Sequence, residues 1–225
     1  MKFVAVLLFS AGCALTLKAT PFCTVSPGVW CEKGAGDAGS LPATSETTIG
    51  TGTLNSIIGD LSDGTGGADM YSIYIADPST FSANFDGDGN GGVTPLADAA
   101  LYLYDSTGHG IEAADDSTPA LGAFTGPAGI YYIAIAPNGN NPQYKTGGNS
   151  FLIFSAFNNS ADSTPVAGAG AIANYSKNGC GANCEGGYDI SLSGADYSNL
   201  PEPASVLLTL LGLGTLSLRR KGFFL

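Results

Sequence analysis

Ala100-Leu101-Tyr102-Leu103-Tyr104 and Tyr71-Ser72-Ile73-Tyr74-Ile75 are the two stretches whose reading decides the fold. Each is short, and each places alternate side chains on opposite sides of an extended chain. Aromatic and β-branched residues dominate both, as in strands. Five further segments, 53–58, 81–85, 130–136, 150–156 and 188–192, have the same character. Gly, Asp, Asn and Pro separate them, and no stretch between residues 20 and 200 has helical periodicity. Short alternating segments with frequent turn signals predict an all-β fold, an antiparallel sandwich around one core.

The bulk properties agree. The 225 residues suit one medium domain with appendages. Gly occurs 33 times and charged residues make up only 12%, which excludes a helical bundle or coiled coil. An apolar share of 44% excludes a wholly disordered chain. The net charge is −11, and the cations are displaced to the ends: between residues 20 and 200 only Lys33, Lys145 and Lys177 are basic. All acidic residues except Glu202 fall in that same interval, so the body is more acidic than the whole chain. Nucleic acid is excluded as a partner, since phosphate binding needs clustered Lys and Arg.

The two ends are apolar. Residues 1–19 carry Lys2, an apolar run from Phe3 to Leu17, and Lys18-Ala19 before Thr20-Pro21. This is the layout of a secretory signal helix cut after Ala19 by signal peptidase, following passage through the Sec translocon. A lipoprotein signal ending at Cys13 is the competing reading, but its apolar core would be shorter than usual. At the other end, Pro201-Glu202-Pro203 precedes an almost uncharged run over 204–218 and the basic cluster Arg219-Arg220-Lys221. The run is close to the ~17–25 residues of a spanning helix. The basic cluster places the body on the far side of the membrane. The two prolines hold an extended segment just outside it, where a peptidase can grip backbone.

This tripeptide, apolar helix and basic cluster, in that order over residues 200–225, resemble the PEP-CTERM sorting signal of Gram-negative bacteria. The resemblance implies recognition by a membrane-embedded exosortase-type peptidase and delivery to the cell surface or extracellular matrix. The tail Gly222-Phe223-Phe224-Leu225 extends past the family's usual end.

Residues 20–46 read as an irregular arm carrying Cys23 and Cys31. With Cys180 and Cys184, the mature chain has four cysteines, an even number that favours two disulfides in an exported protein. Three connectivities are open. Local pairing, 23–31 and 180–184, is preferred over pairs that join the arm to the late loop. A zinc site is the rival, poorly supplied with a single distant His109.

Over about residues 50–156, and at its widest to 193, the order of features resembles the bacterial pre-peptidase C-terminal domain. The residues that carry the likeness are Gly59-Asp60-Leu61, Asp69-Met70-Tyr71-Ser72-Ile73, the Asp98–Asp105 segment with Gly108, Asp115-Asp116, and Ala128-Gly129-Ile130-Tyr131-Tyr132-Ile133-Ala134-Ile135. That family is a jelly-roll-like β-sandwich, so the resemblance implies that topology here. A carboxylate at each strand start has a physical sense, because it can accept backbone N–H bonds at a turn. The resulting organisation is a signal peptide (1–19), a Cys-containing arm (20–46), the sandwich (47–195) and a sorting segment (196–225).

Few residues point to chemistry. Asp86-Gly87-Asp88-Gly89-Asn90-Gly91 matches the first half of a calcium loop, with Asp86, Asp88 and Asn90 as oxygen donors. Its twelfth position is Ala97, which excludes an EF-hand and leaves a nonstandard Ca²⁺ site or an acidic hairpin. Asp115-Asp116 could be paired acid and base, but such a pair is more often a solvated turn. His109 lies between two glycines in an expected hairpin turn, with no nucleophile elbow in the chain. Trp30 is expected to pack over the arm's disulfide or to stack on a sugar. No catalytic residue and no required cofactor are assigned. The expected role is that of a non-enzymatic structural or adhesive surface protein. The alternative is a binding module for extracellular polysaccharide or protein that uses exposed tyrosines such as Tyr102 or Tyr144. A secreted hydrolase would need a cleft joining Asp115, Asp116 and His109.

Overall fold

The computed structural model describes residues 23, 26–32, 38–61, 67–87, 94–115, 118–155, 163–176 and 185–198. Among them the protein is all β, with fourteen strands, no α-helix and one 3-10 turn at Pro78–Thr80. No helix of the described residues is long and apolar enough to cross a membrane. The two apolar terminal runs, expected as helices, lie outside the described residues.

The strands are β1 (Val29–Cys31), β2 (Glu46–Thr47), β3 (Ser56–Leu61), β4 (Asp69–Ile75), β5 (Ser82–Phe85), β6 (Ala99–Asp105) and β7 (Gly110–Asp115). They continue with β8 (Ala120–Leu121), β9 (Gly129–Pro137), β10 (Pro142–Thr146), β11 (Asn149–Leu152), β12 (Asn174–Tyr175), β13 (Gly186–Ser193) and β14 (Ala195–Tyr197). Each of the seven segments expected from periodicity contains a strand. Three sheets result: β1-β3-β13-β5-β8; β14-β4-β9-β6-β7 with β2 also on β4; and β11-β10-β12. Most pairings are antiparallel, but β1 runs parallel to β3 and β2 parallel to β4. The arm therefore gives an edge strand to each large sheet. The ordered body extends past residue 195, because Asp196 and Tyr197 pair with Tyr74 and Ile73.

The six-stranded sheet is the middle layer, and this departs from a two-layer sandwich with one core. Its odd-numbered residues on β6 and β4, Leu101, Leu103, Tyr71, Ile73 and Ile75, join Ile133 and Ile135 in the larger core. There they meet Ile57, Phe85, Tyr188 and Ile190 of the five-stranded sheet. The even-numbered set, Met70, Ala100, Tyr102, Tyr104, Ala134 and Ala136, forms a second core under Ile153, Phe154, Ile172 and Tyr175. A strand buried on both faces carries apolar side chains at every position. That is why β6 reads Ala-Ala-Leu-Tyr-Leu-Tyr without a polar face. The tyrosines face the second core because alanines on β9 leave room there, and their rings cluster: Tyr102 lies 5.9 Å from Phe154 and 5.8 Å from Tyr175.

The large sheets are also joined by buried polar groups. Tyr188 of β13 donates to Asp69 Oδ2 at 2.6 Å, and its oxygen lies 2.5 Å from that of Tyr71 on β4. Burial, then the Asp69 carboxylate, pushes the Tyr71 hydroxyl well above the ordinary phenol range. For Tyr188, burial and then Tyr71 and Asp69 act the same way. Both phenols stay protonated, and so can serve as hydrogen-bond donors.

Candidate functional site

The described residues end, at Ser198, in a knot of hydroxyls. The outer edge of β4 is shared: β14 covers Ile73–Ile75 and β2 covers Tyr71 and Ser72. Where the two meet, Thr48 Oγ1 donates to the Ser72 carbonyl at 2.8 Å, and Ser198 N donates to Thr48 Oγ1 at 3.0 Å. Ser72 Oγ and Ser198 Oγ lie 2.8 Å apart. An open groove of about 340 Å³ lies beside this knot, lined by Pro42, Ser45, Thr47, Ile130 and Tyr132 among others. Ser198 is thus pinned three residues before the Pro201-Glu202-Pro203 tripeptide. The tripeptide itself and Arg219, Arg220 and Lys221 lie outside the described residues.

Cys23 and Cys31 are joined, with Cα atoms 5.6 Å apart. The bridge packs with Val29 and Ile58 on the outer face of the five-stranded sheet. Trp30 points the other way, because neighbours on a strand alternate. It enters the larger core, edge-on to Tyr197 at 6.5 Å. It packs neither over the disulfide nor on the surface. Cys180 and Cys184 lie outside the described residues.

Of the expected calcium ligands only Asp86 is described; Asp88 and Asn90 are not. Asp86 accepts a hydrogen bond from Ser191 Oγ, and its N–H donates to the Asp189 carbonyl at 3.0 Å. No group of three or more His, Cys, Asp or Glu side chains disposed to hold a metal occurs among the described residues.

His109 and Asp115 occupy opposite ends of β7, about 20 Å apart at ~3.3 Å per residue. They share no cleft. His109 sits in the β6–β7 turn, where Asp105 Oδ1 accepts from Thr107 N at 2.8 Å, Thr107 Oγ1 at 2.6 Å and His109 N at 3.0 Å. Partial burial alone would raise the Asp105 pKa, but these hydrogen bonds outweigh it and hold the carboxyl below its ordinary value. Asp115 is buried at the end of its strand, not in a solvated turn, and Asp116 lies outside the described residues.

Tyr102 is fully buried, which removes it as a stacking platform. Tyr144 is half-buried on β10, and its ring stacks on that of Phe151 across the β10–β11 hairpin, centroids 5.7 Å apart and planes inclined by 30°. Phe151 is 44% exposed, the sole aromatic among the large exposed apolar side chains of the described residues. The two rings meet because Tyr144 and Phe151 are directly paired in register. The turn between the strands is Gly147-Gly148, with φ of 55° and 83°, which suits the tight hairpin turn that glycine pairs favour. Lys145, paired with Ser150, is exposed beside them and is the sole Lys or Arg among the described residues. Phe151 and Lys145 were not singled out from the sequence. The visible signal was the Gly-Gly pair between two aromatic-bearing segments.

No known family model matches the chain, and no curated protein matches it.

Proposed function

We propose that this protein is an exported, non-enzymatic β-sandwich module, sorted to the cell surface or extracellular matrix through its C-terminal tripeptide signal, where it serves as a structural or adhesive component. The observation that carries this reading is the sequence order of Pro201-Glu202-Pro203, apolar 204–218 and Arg219-Arg220-Lys221, shortly after the last strand of the described residues. Secretory passage and signal-peptide removal precede it, and an exosortase-type peptidase is the processing partner. The Cys23–Cys31 bridge supports an oxidising destination. Jelly-roll-like topology of the pre-peptidase C-terminal type is the family reading that accompanies it. An acidic, Gly-rich surface keeps such a module soluble and hydrated.

The experiment replaces Pro201-Glu202-Pro203 by three alanines in an exosortase-positive host. The expected result is an unprocessed, larger form retained in the membrane fraction. Unchanged size and location would refute the reading.

A further inference from the structure

We infer that the tip of the β10–β11 hairpin is a binding site for an acidic polysaccharide, with Phe151 and Tyr144 as the stacking surface and Lys145 as the carboxylate partner. Beyond Gln143 the strand β10 is paired only with β11 among the described residues, since β12 reaches only Pro142 and Gln143. The tip is therefore a two-stranded ribbon, exposed continuously from Lys145 to Phe151. Gly170 lies close enough to Tyr144 that a side chain there would crowd the ring, and Tyr144 in turn stacks on the ring of Phe151. A preset ring face costs little ordering on binding. Aromatic faces carry negative potential, which suits the C–H face of a pyranose ring.

Size and charge select the occupant. A stable protein interface buries about 800 Å² per partner. This tip exposes one large apolar side chain, framed by Thr146, Asn149 and Ser150, which is enough for a sugar ring and its hydroxyls. The lysine decides between neutral and acidic sugars. A body this acidic repels an anionic polymer, and among the described residues Lys145, next to Tyr144 on β10, is the one Lys or Arg that offsets this. Tyr144 and Phe151 share one ribbon face and Lys145 the other, but a four-carbon stem is long enough to bring its ammonium round the edge of β10 to a ligand on the rings. A polymer of uronate units can thus stack one residue on Phe151 and place a neighbouring carboxylate at Lys145.

This assignment takes its setting from the proposed export to a polysaccharide matrix, but its test does not depend on sorting. The test is isothermal titration calorimetry of the full-length protein in mild detergent against oligogalacturonates and, as neutral control, malto-oligosaccharides. Binding to oligogalacturonate is expected, with the neutral sugar at least about tenfold weaker and the difference shrinking as salt rises. Phe151→Ala should weaken binding about tenfold while Phe151→Trp retains it. Lys145→Gln should abolish the preference for the acidic sugar. Both positions are exposed, so melting temperatures should stay within about 2 °C of the parent protein. Absence of oligogalacturonate binding, or binding unchanged in Phe151→Ala, overturns the site. Equal affinity for acidic and neutral sugars overturns the role of Lys145. Self-association that Phe151→Ala abolishes, seen by sedimentation, would make the tip a protein interface instead and also overturns it. Failure here leaves tripeptide processing untouched, and failure of processing leaves the calorimetry untouched.

Discussion

Truncating Tyr102 to alanine tests the three-layer architecture directly. If β6 had one face toward solvent, as in a plain sandwich, Tyr102 would be a surface residue and its loss would cost within about 0.5 kcal/mol. In the structure the side chain is fully buried among Tyr104, Phe154 and Tyr175, with ring centroids 5.8 to 6.5 Å away. Deleting a buried aromatic ring costs about 3–5 kcal/mol, part of it for the cavity left behind. The hydroxyl adds little: it donates to the Asn140 carbonyl at a long 3.3 Å, so Tyr102→Phe should cost about 1 kcal/mol or less. Leu103→Ala, on the opposite face of the same strand, should cost about 2–5 kcal/mol. Near-equal penalties at 102 and 103 are thus the signature of a sheet buried on both sides. Urea unfolding supplies the measurement, with the fluorescence of Trp30 reporting the larger core and near-ultraviolet tyrosine dichroism reporting both cores. The two probes should give one coincident transition. A Tyr102→Ala penalty below about 1 kcal/mol, beside a normal penalty for Leu103→Ala, would refute the covered second face.

Three other outcomes are expected. Cys23→Ser with Cys31→Ser should lower stability by about 2.5 kcal/mol, the loop-closure value for a sequence separation of 8, read from urea midpoints under oxidising conditions. Burial and then Glu185 hold the Asp60 carboxyl above its usual value, so its ionised form is disfavoured in the folded state. Asp60→Asn should therefore raise the melting temperature at pH 7. That advantage should fade as pH falls through the raised folded value toward the ordinary carboxylate range, and an equal gain at pH 3 and pH 7 would contradict it. Gly59→Ala would drive a methyl group into the Tyr188 hydroxyl and the Glu32 carboxylate, breaking the Tyr188–Asp69 bond. A loss of about 2 kcal/mol or more is expected in the same unfolding assay.

The strand content was legible because it rests on local periodicity and turn residues, both of which are properties of short windows. The second core was not, although its trace is present in Leu101-Tyr102-Leu103-Tyr104, where neither alternate set is polar. Tyrosine is the reason: a ring with one hydroxyl fits a wet surface or a satisfied interior equally well. Only the packing of Phe154, Ile172 and Tyr175, 50 to 70 residues downstream, settles which one applies. Strands β7 and β10 escaped for a related reason, since Gly-Ile-Glu-Ala-Ala-Asp and Pro-Gln-Tyr-Lys-Thr are weak strand sequences held by their neighbours. Trp30 shows the same limit at a single residue: its partner Tyr197 comes from the far end of the body. At the hairpin tip, the Gly-Gly turn was readable, but the exposure of Phe151 depends on what the rest of the chain leaves uncovered.

The hydroxyl knot at Ser198 also bears on how the body would answer a pull on the end of β14. A load applied through the chain beyond Ser198 enters β14 and passes at once to β4, in the layer clamped between two cores. The first bonds to feel it are the few that hold Ser198 to Thr48 and Ser72, backed by three paired residues of β14 on β4 and by its bonds to Gly52, Thr53 and Leu54 on the other side. Once these part, the exposed edge of β4 can zip up again when tension falls, while β9 on its other side keeps its own seven-residue ladder. A pull at Ser198 would therefore meet a short patch of bonds first, set against a sheet whose β4–β9 ladder is more than twice as long as the β14–β4 one.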